Sequence, residues 1–208
     1  MARPRSDIDV RILHAARAQF LSDGVEAASL RAIAKAAGTN IGMIYYYFPT
    51  KDDLFLAVVE EVYEGLLTKL AEALNGDVDV PARITRLYQR IGELDQTELD
   101  VLRLVVREAL TSPARLERLF ERFQRGHIPL LLRTAFDAMA QGTFDPRIHP
   151  LLLVAATMVI GVAPQLILRR FGERLPPGLP APPRGEELAR TLVDMLLHGV
   201  SPSVSRTR

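Results

Sequence analysis

The segment from Ser29 to Phe55, SLRAIAKAAGTNIGMIYYYFPTKDDLF, constrains the fold of this chain more than any other. Ser29 is a good N-cap, and Leu30, Ile33, Ala34 and Ala37 behind it recur at near-helical spacing. Gly38 can take the left-handed conformation that ends a helix, and Asn40 can cap the next one. A second helix of about two turns runs from Ile41 into the aromatic run Tyr45, Tyr46, Tyr47 and Phe48. Two short helices joined this way form a helix-turn-helix, whose second helix can lie in the DNA major groove. Every charge between Ala27 and Lys51 is positive, from Arg31, Lys35 and Lys51, the bias that a phosphate-facing surface needs. The bland alternative is an ordinary helical hairpin whose aromatics are core. The residues beyond the second helix decide between the two.

That continuation, Gly-x-x-Tyr-x-x-Phe-Pro-Thr-Lys-Asp-Asp-Leu from Gly42 to Leu54, resembles the signature of the TetR family of transcriptional regulators. The resemblance covers roughly residues 7 to 57; beyond it only helical layout and length match. It implies an all-α fold, with a three-helix DNA-binding domain at 1–50 and a larger helical effector-binding and dimerisation domain at 51–208. It also implies a cytoplasmic regulator, a repressor that binds a palindromic double-stranded DNA operator as a homodimer and is released by a small-molecule effector. The alternative is an architectural or partner-controlled DNA-binding protein without a ligand switch.

The resemblance points the end of the first helix, with Ser29 and Arg31, at the duplex. Ser29 can donate to phosphate beside free backbone N–H groups, and Arg31 can reach phosphate or a guanine edge. Tyr45 and Lys51 resemble the family's phosphate-contacting tyrosine and lysine, which set register more than preference. Sequence discrimination then falls to Thr39, Asn40, Ile41, Gly42, Met43 and Tyr46. This set lacks Arg, Lys and Gln, so readout by the helix itself is modest, and Arg31 and DNA shape carry much of the preference. Tyr47 stands where members often carry a histidine, and with Phe48 it reads as core. For Arg31 and Lys35 the bland reading is a solvated helix face.

The rest of the chain reads as helices. A basic arm with Arg3 and Arg5 precedes a capping-box pattern, Ser6 with Asp9, and a face of Ile8, Ile12, Ala16 and Phe20 that ends at Asp23 and Gly24. Thr50 and Asp53 repeat the capping pattern and start a helix to about Asn75, with Leu54, Val58, Val62, Leu66, Leu70 and Leu74 along it. In the family such a helix belongs to both domains and carries motion between them. Helices are then expected at about 82–95, 98–111 and 113–141, the last kinked near Gly126 because Pro129 lies inside it. Further helices follow at 150–170 and 186–197, with a proline-rich loop, LPPGLPAPP, between them at 175–183. No stretch alternates at period two.

Of the 208 residues, 48% are hydrophobic and 25% charged, enough for a sizeable core. The absence of cysteine excludes disulfides and thiolate metal sites, and a net charge of +1 excludes a bulk polycation. The opening MARPRSDIDV lacks the apolar run of a secretory signal. The apolar stretch from Leu151 to Leu168 just reaches membrane length, but Thr157, Pro164, Gln165 and the flanking Arg169 and Arg170 favour a helix buried against the protein and a partner subunit, with no membrane partner. The resemblance implies that helices 150–170 and 186–197 pair with their copies. Ala155, Ala156, Gly161 and Ala163 would permit close approach, and Leu192, Met195 and Leu196 would supply bulk.

An effector cavity is expected between the long C-terminal helices. Tyr88, Phe120, Phe123, Phe136, Met139 and Met158 are candidates to line it, with His127, Thr157 and Gln165 as its scarce polar groups. A largely apolar or acyl-chain effector fits such a lining, while the bland reading of the same residues is core. Catalysis finds no support. His14, His127, His149 and His198 have neither a paired nucleophile nor metal spacing, and no cofactor or metal is expected. Asp52 with Asp53 and Glu60 with Glu61 are sequence neighbours that point apart on helices.

Overall fold

The computed structural model describes residues 7–76, 78–174, 176 and 178–199. The expected arm with Arg3 and Arg5, and the Ser6 cap, lie outside these residues, as do Leu175 and Pro177 of the proline-rich segment. Among the described residues there are helices and no strands, so the fold is all-α. The helices are α1 (Asp7–Ala27), α2 (Leu30–Ala36), α3 (Ile41–Tyr47), α4 (Lys51–Leu74), α5 (Val80–Gly92), α6 (Gln96–Thr111), α7 (Pro113–Gln124), α8 (His127–Ala140), α9 (Pro150–Phe171) and α10 (Gly185–His198). A short 3-10 turn, Gly172–Arg174, follows α9.

Caps account for most boundaries. In α1 the helical path breaks at Gly24, whose φ of 85° is open to glycine and costly for other residues. Thr50 and Asp53 form the expected reciprocal cap of α4, with the Asp53 N–H on Thr50 Oγ1 and the Thr50 N–H on Asp53 Oδ2, both at 3.0 Å. Asp95 does not close a helix as expected. It caps α6 in a capping box with Glu98, so the preceding helix stops at Gly92. The expected long helix 113–141 is also two helices. The chain breaks at Gly126, with φ −124° and ψ −111°, and Pro129 falls in the first turn of α8, where its missing N–H leaves no bond unmade. The sequence expectation of a kink is thus replaced by a full break.

Contacts gather into two units. One holds the chain to Leu66 together with Asp95–Phe123, and the other holds Leu67–Leu94 with Gln124 onward. In the first unit Ile12, Ala16, Phe20, Val25, Ile33, Ile44, Leu54, Phe55 and Val58 form the core, with Phe20 edge-on to Phe55 at 6.5 Å between centroids. The buried line of α4 continues through Val59 and Tyr63, whereas the expected Val62 and Leu66 are only half-buried.

In the second unit α5 packs on α9 and α10. Tyr88, fully buried, lies over Gly161, where a Cβ would sit 2.3 Å from Tyr88 Cε1. Its hydroxyl donates to the Thr157 carbonyl at 2.9 Å, and Gln165 Nε2 donates to the Tyr88 carbonyl at 2.9 Å and the Gly161 carbonyl at 2.7 Å. Burial raises the Tyr88 phenol far above the usual tyrosine value, so it stays a neutral donor.

α9 is long and apolar enough to cross a membrane, yet only 28% of its most apolar window is buried inside the chain. Leu151, Leu152, Ala155, Val159, Ile167 and Phe171 are exposed.

Candidate nucleic-acid interface

The helix-turn-helix is assembled by side-chain caps and one glycine. Ser29 Oγ accepts the Ala32 N–H at 3.3 Å and begins α2. At its other end Gly38 takes φ 65°, the Thr39 N–H returns to the Ala34 carbonyl at 2.9 Å, and the Gly38 N–H returns to Lys35 at 3.2 Å. This crossed pair is the Schellman closure that requires a left-handed residue at position 38. Asn40 Oδ1 then accepts the Met43 N–H at 3.1 Å, so its carbonyl is spent as a cap and only its amide N–H groups remain to meet DNA. A Cβ on Gly42 would approach Asn40 Oδ1 to 3.1 Å, which ties that glycine to the tightness of the cap.

Ser29, Arg31, Lys35, Asn40, Gly42, Tyr45 and Tyr46 are exposed, with Tyr45 at 51% and Tyr46 at 59%. Thr39, Ile41 and Met43 are half-buried, and Ile44 is the core residue of α3. Tyr47 and Phe48 are half-buried and stack in a tilted pair at 6.2 Å. Lys51 behaves in an unforeseen way. Its ammonium donates to the Ala28 carbonyl at 3.3 Å and, more closely, to the Glu26 carbonyl, leaving one of its three N–H groups for a phosphate.

Sequence reasoning missed the charged seam behind this surface. Arg115, Arg118 and Arg122 recur along one face of α7. They meet Asp52 at 2.9 Å, Asp53 at 2.6 Å and Glu60 at 2.7 Å, all on α4. Arg122 also lies 4.5 Å above the Tyr63 ring. Arg118 and Thr50 hold the Asp53 carboxyl below its ordinary pKa, whereas Glu60 beside Glu64 raises that of Glu64. The readable signal was the recurrence of Arg115, Arg118 and Arg122 at helical spacing, with carboxylates at Asp52, Asp53 and Glu60 on another helix.

The expected effector residues are divided between the two units. Phe120 and Phe123 belong to the first unit, where Phe123 packs on Tyr63 at 5.3 Å, while Tyr88, His127, Phe136, Met139, Thr157, Met158 and Gln165 belong to the second. Phe120 and Phe136 are largely exposed, at 46% and 55%. Tyr88, Thr157 and Gln165 form a hydrogen-bonded tie between α5 and α9. The slot against Thr157, walled by Leu74, Ile84, Leu87 and Leu131, holds about 10 Å³, room for about one water. A hollow of about 340 Å³ opens where Gln165, Leu168 and Arg169 face Pro182 and Leu188.

Two of the expected dimer residues are also reassigned. Gly161 is covered by Tyr88, and Leu192 is 2% exposed in the chain's own core. Ala155 and Met195 are exposed, and Ala156, Ala163 and Leu196 half-buried. No group of three or more potential metal ligands occurs among the described residues.

Residues 12–58 match the sequence model of the bacterial regulatory proteins, tetR family. The HTH-type transcriptional regulator UidR of Escherichia coli is 30% identical over 87 residues, 40% of this chain and 44% of its own. The HTH-type nicotine-responsive transcriptional repressor HdnoR of Paenarthrobacter nicotinovorans is 31% identical over 100 residues, covering 47% and 52%. The matched part thus spans about half the length of these curated relatives. The transcriptional regulator FadR of Bacillus subtilis, solved in complex with stearoyl-CoA, superposes with a TM-score of 0.71 over 92% of this chain and 99% of its own, at 16% identity. That likeness concerns the fold.

Proposed function

From the premise that its N-terminal domain makes this chain a TetR-family protein, we propose that it is a transcriptional regulator, a repressor that binds a palindromic operator as a homodimer. One observation carries the reading: a doubly capped helix-turn-helix presents Tyr45, Tyr46, Arg31 and Lys35 together, with no carboxylate between Ala27 and Lys51. Affinity comes from phosphate contacts, and base reading comes from Arg31 and groove shape, because α3 lacks a cationic or glutamine fork. The operator half-sites then repeat about one duplex turn, roughly 34 Å, apart.

The exposed apolar face of α9, from Leu151 and Leu152 through Val159 to Phe171, is the surface a second copy would cover, and Met195 of α10 is exposed as well. Val159→Asp is expected to convert dimers into monomers in sedimentation, and a wild-type monomer at micromolar concentration refutes the dimer.

Control by a small, largely apolar effector belongs to the same proposal. HdnoR is nicotine-responsive and the FadR structure holds stearoyl-CoA, which supports a ligand-responsive reading. The effector would occupy the hollow beside Gln165 or open the apolar slot at Leu74 and Leu131, and would bias the DNA-binding form through α4. Selection of genomic fragments by the purified protein tests the core of the proposal. Recovery of an inverted repeat supports it, and purely non-specific binding favours an architectural protein. Operator binding indifferent to acyl compounds removes the switch but leaves the regulator.

A further inference from the structure

The connection that leads into α2 is held from behind, and the holding group is Arg115. Its side chain, 8% exposed, forks to three carboxylates: Glu26 at 2.9 Å, Asp52 at 2.9 Å and Glu108 at 3.0 Å. Glu108, 4% exposed, uses its other oxygen to accept the Val25 N–H at 3.2 Å and Arg107 Nε at 3.3 Å. Arg107 in turn donates to the Leu21 carbonyl at 3.1 Å and, more closely, to that of Phe20. On the other side Lys51 grips the Glu26 and Ala28 carbonyls. The short run before Ser29 is therefore fixed at Val25, Glu26 and Ala28 by groups from α4, α6 and α7.

We propose that Arg115 is a positioning residue for DNA binding, setting the placement of Ser29 and Arg31 relative to Lys51 without touching DNA. The inference rests on the proposed DNA-binding role of the helix-turn-helix. A planar guanidinium can serve carboxylates in three directions at fixed geometry, whereas a lysine ammonium on a flexible stem cannot hold all three in register. The cluster balances Arg107, Arg115 and Lys51 against Glu26, Asp52 and Glu108, so the carboxylates nearest the DNA-facing connection are neutralised within the protein. Loss of the fork frees both the backbone before Ser29 and uncompensated negative charge beside it.

A buried ion pair can serve stability alone, and the test separates the two roles. The full-length protein is titrated with the operator recovered by wild type and with a scrambled duplex at one salt concentration. An unfolded fraction lowers both apparent affinities alike, so their ratio reports placement. Arg115→Gln is expected to lower the specific-to-non-specific ratio about tenfold, the scale of a small misplacement of contacting groups, with Arg115→Lys recovering only part. Glu26→Gln removes a carboxylate whose side chain is 89% exposed, and should lower the ratio about threefold with the fold intact. Ratios for Arg115→Gln and Glu26→Gln within about twofold of wild type overturn the proposal. If Arg115→Gln does not fold, Glu26→Gln alone decides it. A wild-type ratio near unity removes the DNA-binding premise itself, and this inference with it.

Discussion

In the first unit α4 and α7 are joined by ion pairs, with Asp52, Asp53 and Glu60 facing Arg115, Arg118 and Arg122 beside the Tyr63–Phe123 ring contact. In the second unit α5 and α9 meet through a neutral phenol, a glycine and an amide at Tyr88, Gly161 and Gln165. The charged seam depends on partners staying ionised and in register. The neutral tie depends on volume, because the Tyr88 ring fills the space that a Cβ at position 161 would need. The two regions should therefore fail under different perturbations.

The largest expected effect is at the buried end of the charged seam. Arg115→Met leaves Glu108 buried beside only Arg107 and the Val25 N–H, and is expected to cost about 3–5 kcal/mol by chemical denaturation. Replacing both buried partners, Arg115→Met with Glu108→Leu, should be less destabilising than Arg115→Met alone, since no unpaired charge remains inside. A double variant as unstable as the sum of the singles would show that the seam is not held by that pair.

Next comes the neutral tie. Gly161→Ala places a methyl against Tyr88 Cε1, and overpacking of that kind costs about 1–3 kcal/mol. Combined with Tyr88→Leu the cost should shrink, because the ring it strikes is gone; thermal melts of the four proteins check this. Tyr88→Phe alone removes the bond to the Thr157 carbonyl and should cost about 1 kcal/mol.

Opposite pH dependences sharpen the contrast further. Asp53 and Glu26 titrate lower in the folded protein, held down by Arg118 and Thr50 and by Arg115. Their contribution is present above the unfolded carboxylate range and lost as pH falls through the folded values. Glu64, raised by Glu60, opposes them in the same window, so the acid loss should grow in Glu64→Gln. Tyr88 titrates higher when folded, so its contribution is complete below the ordinary phenol value of 10.0 and declines as pH rises above it. Melting temperature followed across pH should lose its alkaline decline in Tyr88→Phe and keep its acid one. An unchanged alkaline limb would detach that decline from Tyr88.

The smallest effect belongs to the more solvated middle pair of the seam. Arg118 and Asp53 are both about a third exposed, so Arg118→Ala should cost no more than about 1 kcal/mol, with the loss fading in high salt. A larger, salt-independent loss would mean that this pair is held like the Arg115 end.

Local chemistry alone determined the helix-turn-helix of this protein. A serine cap, a left-handed glycine, an asparagine cap and a threonine–aspartate box act within three or four residues of themselves, so their order in the sequence fixes their geometry. The same locality made the motif at Gly42–Leu54 legible in the sequence. Which residues meet across distance was beyond the reach of the sequence. Phe123 went to Tyr63 instead of an effector cavity, Gly161 went under Tyr88 instead of onto a partner, and Arg115 gathered carboxylates far apart in the chain. Helical periodicity gives each residue a face but not a neighbour. Only the packed structure, where charges and volumes must be satisfied together, assigns the neighbours.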